Sequence, residues 1–108
     1  MANSFKNSFV SAVGGTKTAV YTAGAGVQAT VIGMSVSNLT TTPISANIIV
    51  TSSGTDYYIV KNATIAPGGA LVPIGGDQKL VIEAADTLSV NTSVASSADV
   101  IVSVLEIS

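Results

Sequence analysis

Five carboxylates could carry chemistry in this chain: Asp56, Asp77, Glu83, Asp86 and Asp99. Carboxylate oxygens are hard donors suited to Ca²⁺. Two acids facing each other across a sugar-sized groove could cleave a glycosidic bond. Neither pattern is spelled out. There is no Asp-x-Asp-x-Asp-Gly loop, and three of the five sit at turns, where Asp bonds its own backbone. Gly24-Ala25-Gly26-Val27-Gln28-Ala29 matches the spacing of a dinucleotide-binding turn. That turn must open a helix, whereas the residues that follow alternate like a strand, so a Gly-rich β-turn is expected. Gly14-Gly15-Thr16-Lys17-Thr18 lacks the Gly-Lys-Ser/Thr adjacency of a phosphate loop. Tyr57-Tyr58 point to opposite faces of one strand, one to the core and one to the surface. The exposed ring could stack a sugar or join an interface. Asn38-Leu39-Thr40, Asn62-Ala63-Thr64 and Asn91-Thr92-Ser93 are glycosylation sequons by pattern and read as loop composition.

The counts exclude whole classes of function. The chain has 108 residues, four Lys, six acids, and no Arg, His, Cys or Trp. Zinc, copper, iron–sulfur and haem sites need thiolate or imidazole ligands, so no cofactor is expected. Ser-His-Asp and Cys-His catalysis lack their base. Disulfides cannot form. Four scattered Lys make no basic stripe, so no nucleic-acid partner is expected. The N-terminus has no apolar h-region of a signal peptide. No charge occurs from Thr18 to Thr55, but Ser, Thr, Asn, Gln and Pro interrupt every apolar run, well short of the ~20 residues of a membrane span. No membrane partner is expected. Charged residues are 9% of the chain, against about 25% in an average domain. Either the 26 Ser and Thr residues coat the surface, or other chains bury part of it.

The elements that must position these residues are strands. Residues 1–15 read as an N-terminal arm holding Phe5 and Phe9, the only Phe residues, and closed by Gly14-Gly15. From Thr16 the apolar period is two. It predicts strands over Thr16–Thr22, Gln28–Ser37, Ile44–Thr51, Asp56–Lys61, Ala63–Ala66, Ala70–Val72, Lys79–Glu83, Thr87–Asn91 and Asp99–Ile107. Ile32, Met34 and Val36 share one inward face, as do Ala46, Ile48 and Val50, and Leu88 and Val90. Ser52-Ser53-Gly54-Thr55, Pro67-Gly68-Gly69, Gly75-Gly76-Asp77 and Ala84-Ala85-Asp86 read as turns. The last strand is apolar on both faces, Val100, Val102 and Val104 on one, Ile101, Leu105 and Ile107 on the other. Such a strand is central or covered by a partner. Eight or nine short strands predict an all-β, antiparallel β-sandwich or jelly-roll-like domain over residues 16–108.

Several segments carry a family resemblance. They are Val31-Ile32-Gly33-Met34-Ser35-Val36-Ser37-Asn38, Ser53-Gly54-Thr55-Asp56-Tyr57-Tyr58-Ile59-Val60-Lys61, Ala66-Pro67-Gly68-Gly69-Ala70-Leu71 and Gly75-Gly76-Asp77-Gln78-Lys79-Leu80-Val81. Glu83-Ala84-Ala85-Asp86-Thr87-Leu88-Ser89-Val90 and Asp99-Val100 to Glu106-Ile107 complete the set. Across most of residues 26–108 the chain resembles the small all-β virion structural proteins of tailed bacteriophages, especially of marine and cyanobacterial phages. Where that resemblance leads one to expect Gly-Asp before Thr-Leu-Ser-Val, this chain has Ala85-Asp86, a departure expected to cost little.

The resemblance implies a non-enzymatic virion component without catalytic residues, assembled in the host cytoplasm. Its partners would be further copies of itself and other virion proteins such as the major capsid protein. A capsid decoration or cement subunit is the favoured expectation, with a tail, neck or fibre component beside it. The candidate interface residues are Phe5, Phe9, Tyr58, Ile101 and Leu105. Two other classes stand against it: a carbohydrate- or cell-surface-binding module using Tyr21, Tyr57 and Tyr58, and an enzyme working through a convergent acid pair.

Overall fold

Alternating small aliphatic and hydroxyl residues leave this chain few options but extended backbone. The structure is a computed structural model, and it describes residues 3–74 and 79–107. These form nine strands: β1 (Asn3–Val13), β2 (Thr18–Thr22), β3 (Gln28–Asn38), β4 (Ile44–Ser52), β5 (Thr55–Ile65), β6 (Ala70–Ile74), β7 (Leu80–Ile82), β8 (Thr87–Thr92) and β9 (Ala98–Ile107). The described residues contain no helix. The expected turn at Gly75-Gly76-Asp77, and Asp77 as a candidate ligand, lie outside the described residues.

Two antiparallel sheets stack in a sandwich-like arrangement. Sheet 1 runs β1-β9-β3-β6, with β7 also on β3; sheet 2 runs β2-β8-β4-β5. The pairs are nested in sequence. β4 pairs β5, β3 pairs β6 and β7, β2 pairs β8, and β1 pairs β9. The core between the sheets is built from Val, Ile, Ala, Leu and Met, with Val31, Val36, Ile48, Leu88, Val90, Val102 and Val104 sealed from solvent. All five aromatic rings lie outside the buried cluster; only Tyr21 packs against it, partly buried.

Several local readings of the sequence shift in the structure. Residues 1–15 read as an arm, yet Asn3–Val13 is β1, an edge strand whose register runs from Asn3 opposite Ile107 to Val10 opposite Val100. Phe5 and Phe9, four apart, share a face in a strand as they would in a helix. In β3, Val31 faces Val104 and Gly33 faces Ser103, so Ile32 is an extra residue in a bulge. That bulge flips the phase: Ala29 and Val31 point inward before it, Met34 and Val36 after it, and Ile32 stays half-exposed. The segments Asp56–Lys61 and Ala63–Ala66 merge into β5, which absorbs two register shifts against β4. Asn62 sits at one of them with φ 56, and its N–H donates to Asn47 Oδ1 at 2.8 Å. β6 runs through Pro73 to Ile74 rather than stopping at the proline. It is a peripheral strand with a register shift at that point, where a missing N–H is tolerated. Val50 is only half-buried, whereas its neighbour Ile49 is buried outside the core cluster, level with Ser89 and Tyr58.

The turns follow backbone chemistry. Ser53 and Gly54 both have positive φ, as a two-residue type I′ hairpin requires. Asn38 is buried with its amide fully used. Its Nδ2 donates to the Thr42 and Ile65 carbonyls, and its Oδ1 accepts from the Thr40 N–H and hydroxyl. That side chain holds the Thr-rich loop against the end of β5, a role the sequon pattern concealed.

Ala85 is the costly turn residue. The turn closes with the Asp86 N–H on the Glu83 carbonyl at 3.0 Å, and Ala85 adopts φ 71, a region glycine enters freely and alanine does not. The Ala-for-Gly departure therefore costs more than the turn-forming Asp86 alone would imply. Ala85→Gly is expected to raise the unfolding free energy by roughly 0.5–1 kcal/mol, the left-handed penalty of Ala less the extra unfolded freedom of Gly. Urea unfolding midpoints check this; a lower midpoint for the variant would refute the strain.

Candidate assembly face

The β1–β9 register assembles four of the five candidate interface residues. Phe9 lies directly opposite Ile101, and Phe5 directly opposite Leu105. Between them Asn7 faces Ser103, whose hydroxyl donates to Asn7 Oδ1 at 2.7 Å. Ser8, Val10 and Val13 take the inward positions of β1, so the two Phe rings point away from the core. Phe5 is 76% exposed and Phe9 69%. On the other side of β9, β3 sets Ser35 beside Ile101 and Thr30 beside Leu105, and β7 adds the exposed Val81 beside Thr30. Shallow open depressions of about 250 and 220 Å³ flank the Phe9 and Phe5 rings. Such a face can do one thing chemically: exclude water against another apolar surface.

Tyr58 stands apart. It lies on β5 at the far edge of sheet 2, with Lys61 Nζ 5.0 Å from its ring centroid. The strand alternation predicts one of Tyr57 and Tyr58 in the core and the other at the surface, but both are exposed. β5 is an edge strand, and its first residues reach beyond the core.

The described carboxylates are dispersed. Asp56 accepts from Lys17 Nζ at 2.9 Å and from the Thr51 hydroxyl at 2.6 Å; these contacts, Thr51 first, pull its carboxyl below the ordinary range. The pair is exposed and adds little to stability. Asp99 Oδ1 accepts the Ala12 N–H at 3.2 Å. Glu83 and Asp86 bracket the β7–β8 turn. Among the described residues no group of three or more acids could hold a metal ion, and no helix is long and apolar enough to cross a membrane.

Sequence reasoning missed a polar clasp that fixes β1 in place. Tyr21 of sheet 2 donates its hydroxyl to Glu106 Oε2 at 2.5 Å, and Lys6 Nζ sits 2.9 Å from Glu106 Oε1. Ser8 of β1 also donates to the Val20 carbonyl of β2 at 2.5 Å. Burial, followed by the Glu106 contact, raises the Tyr21 pKa. The Tyr21 hydrogen bond, followed by Lys6, lowers that of Glu106. The clasp ties the edge of sheet 1 to sheet 2, and so turns the Phe face outward. Its one sequence signal is Glu106, the one charge in the largely apolar run Val100–Ile107. No family model and no curated protein matches the chain.

The clasp has a pH signature. A carboxylate whose folded pKa is depressed stabilises fully above its unfolded value and loses that contribution as pH falls through the folded value. Below the ordinary carboxylate value of 4.5 the Glu106 contribution is therefore expected to drain away. Melting temperatures followed from about pH 7 to about pH 3 should fall less steeply in Glu106→Gln than in the natural chain. Asp56 titrates in the same window in both proteins, so the difference between them isolates Glu106; identical slopes would mean that the clasp is not formed.

Proposed function

We propose that this chain is a non-enzymatic virion structural protein of a tailed bacteriophage, a capsid decoration or cement subunit. It acts by self-association and by docking on the particle, with the major capsid protein as its lattice. The observation that carries this reading is the placement of the aromatic rings. The largest apolar side chains of a small domain ordinarily fill its core. Here Phe5 and Phe9 stand on the surface of sheet 1, beside Ile101 and Leu105, where a lone subunit gains nothing from them.

The strand orders support a jelly roll. With β6 and β7 taken as two halves of one strand, four nested antiparallel pairs give two four-stranded sheets, the arrangement common in capsid and lectin domains. A sparsely charged, hydroxyl-rich chain suits a subunit whose surface is shared with neighbours. Tyr57 and Tyr58, exposed with Lys61 on sheet 2, favour a second reading, a carbohydrate- or cell-surface-binding module. A glycan array separates the two.

Gradient-purified phage particles should contain peptides of this chain in fixed ratio to the capsid protein, measured by quantitative mass spectrometry. Phe5→Ser with Phe9→Ser should cut incorporation at least about tenfold while leaving stability within about 0.5 kcal/mol, because both rings are exposed. Particles lacking the natural chain would overturn the proposal.

A further inference from the structure

Four strands other than β1 border the two sheets, and each is unsuited to pairing with another chain. β5 is broken by two register shifts and carries Lys61. β6 contains Pro73 at a register shift. β7 has three residues, and β2 has five with a shift of its own. These are the devices by which natural sheets avoid edge-to-edge association. β1 lacks them. It runs in unbroken register for the eight residues Asn3–Val10, and among the described residues its only strand neighbour is β9. Its one charge, Lys6, lies on the opposite side from the Phe rings and is paired with Glu106 at 2.9 Å, so it does not guard the edge.

We infer that β1 pairs antiparallel with β1 of a second copy of this chain, across a two-fold axis passing through Asn7. The inference rests on the reading of the Phe face as an assembly surface, and names its partner and register. The spacing of the strand selects both. Phe5 and Phe9 are placed symmetrically about Asn7. With Asn7 on the axis, Phe5 of each copy lies directly opposite Phe9 of the other. Directly opposed residues of antiparallel strands share a face. Each side of the joint then carries one continuous apolar row: Ile101, Phe9, and the Phe5 and Leu105 of the second copy. The two rows flank a polar row in which Asn7 and Ser103 of each copy meet at the axis.

The neighbouring registers are worse. An axis through Lys6 sets the two ammonium groups directly opposite each other, and like charges so placed destabilise a sheet. An axis through Ser8 sets Phe9 against Asn7 and Phe5 against Ser11, breaking both rows. In the Asn7 register Lys6 lies opposite Ser8. The contact uses the same patch on both copies, as a closed two-fold dimer requires, and it joins two sheets edge to edge.

The chain has no Cys, so single cysteines report the register cleanly. In the paired state Asn7→Cys brings two Cα atoms to about 4.5–5.5 Å, within disulfide reach. Ser11→Cys leaves its two thiols about 26 Å apart, eight residues of strand rise. Mild oxidation at low micromolar concentration should convert most of Asn7→Cys to a covalent dimer on a non-reducing gel and leave Ser11→Cys monomeric. Sedimentation equilibrium of the natural chain should give a dimer. Phe9→Asp, with unchanged far-ultraviolet circular dichroism, should give a monomer. Equal cross-linking of the two cysteines, no cross-link at Asn7, or a monomeric natural chain would overturn the pairing. A monomer found in phage particles would sink the pairing and leave the virion reading standing; a dimer absent from particles would do the reverse.

Discussion

β9 holds the molecule together because it is hydrogen-bonded on both flanks. One flank carries the first strand and the other carries the third. Its inward residues Val100, Val102 and Val104 lie in the centre of the core, so burial fixes the face, and the period of two then leaves Ile101 and Leu105 outside. Everything on the outer surface of sheet 1 is dictated by that phase. A slip of β9 by one residue would turn Ile101 and Leu105 inward and expose three valines. The clasp of Glu106 with Tyr21 and Lys6 opposes the slip at one end of the strand. The Asp99 contact with the Ala12 N–H opposes it at the other.

Much of this was legible in the residues. Val100 to Ile107 announced a strand apolar on both faces, and the structure makes it central. Ser52-Ser53-Gly54-Thr55 announced a hairpin, and the backbone there has the two positive φ values of a tight turn. Pro67-Gly68 announced another, and Gly68 takes φ 70. Interruptions of the period were not legible. Nothing in Val31-Ile32-Gly33 says which residue will bulge, because all three could extend the ladder and the choice is made by β9 across the sheet. The same holds for Asn62, whose bulge is held by Asn47 from the neighbouring strand. Local patterns report local geometry; bulges answer to partners far away in sequence.

The candidate site divides the same way. Phe5, Phe9, Ile101 and Leu105 could each be singled out as apolar residues without a reason to be inside, but their juxtaposition needed the β1–β9 register. Tyr58 met the same criterion and lies on the other sheet, since residue type alone carries no address. The clasp was invisible for the opposite reason. Tyr21 and Glu106 are 85 positions apart, and a single carboxylate in a strand gives no hint of its partner. Asn38 looked like loop composition and is the buried anchor of its loop.

The position of the rings has an optical consequence. The chain has no Trp, Phe5, Phe9, Tyr57 and Tyr58 face solvent, and only Tyr21 is lodged against the core. The packed interior of Val, Ile, Ala, Leu and Met absorbs nothing in the near ultraviolet. Tyrosine fluorescence and near-ultraviolet dichroism of this protein therefore follow Tyr21 at its clasp and the occupancy of its surfaces. The tightening or loosening of the core beneath passes without a chromophore to record it.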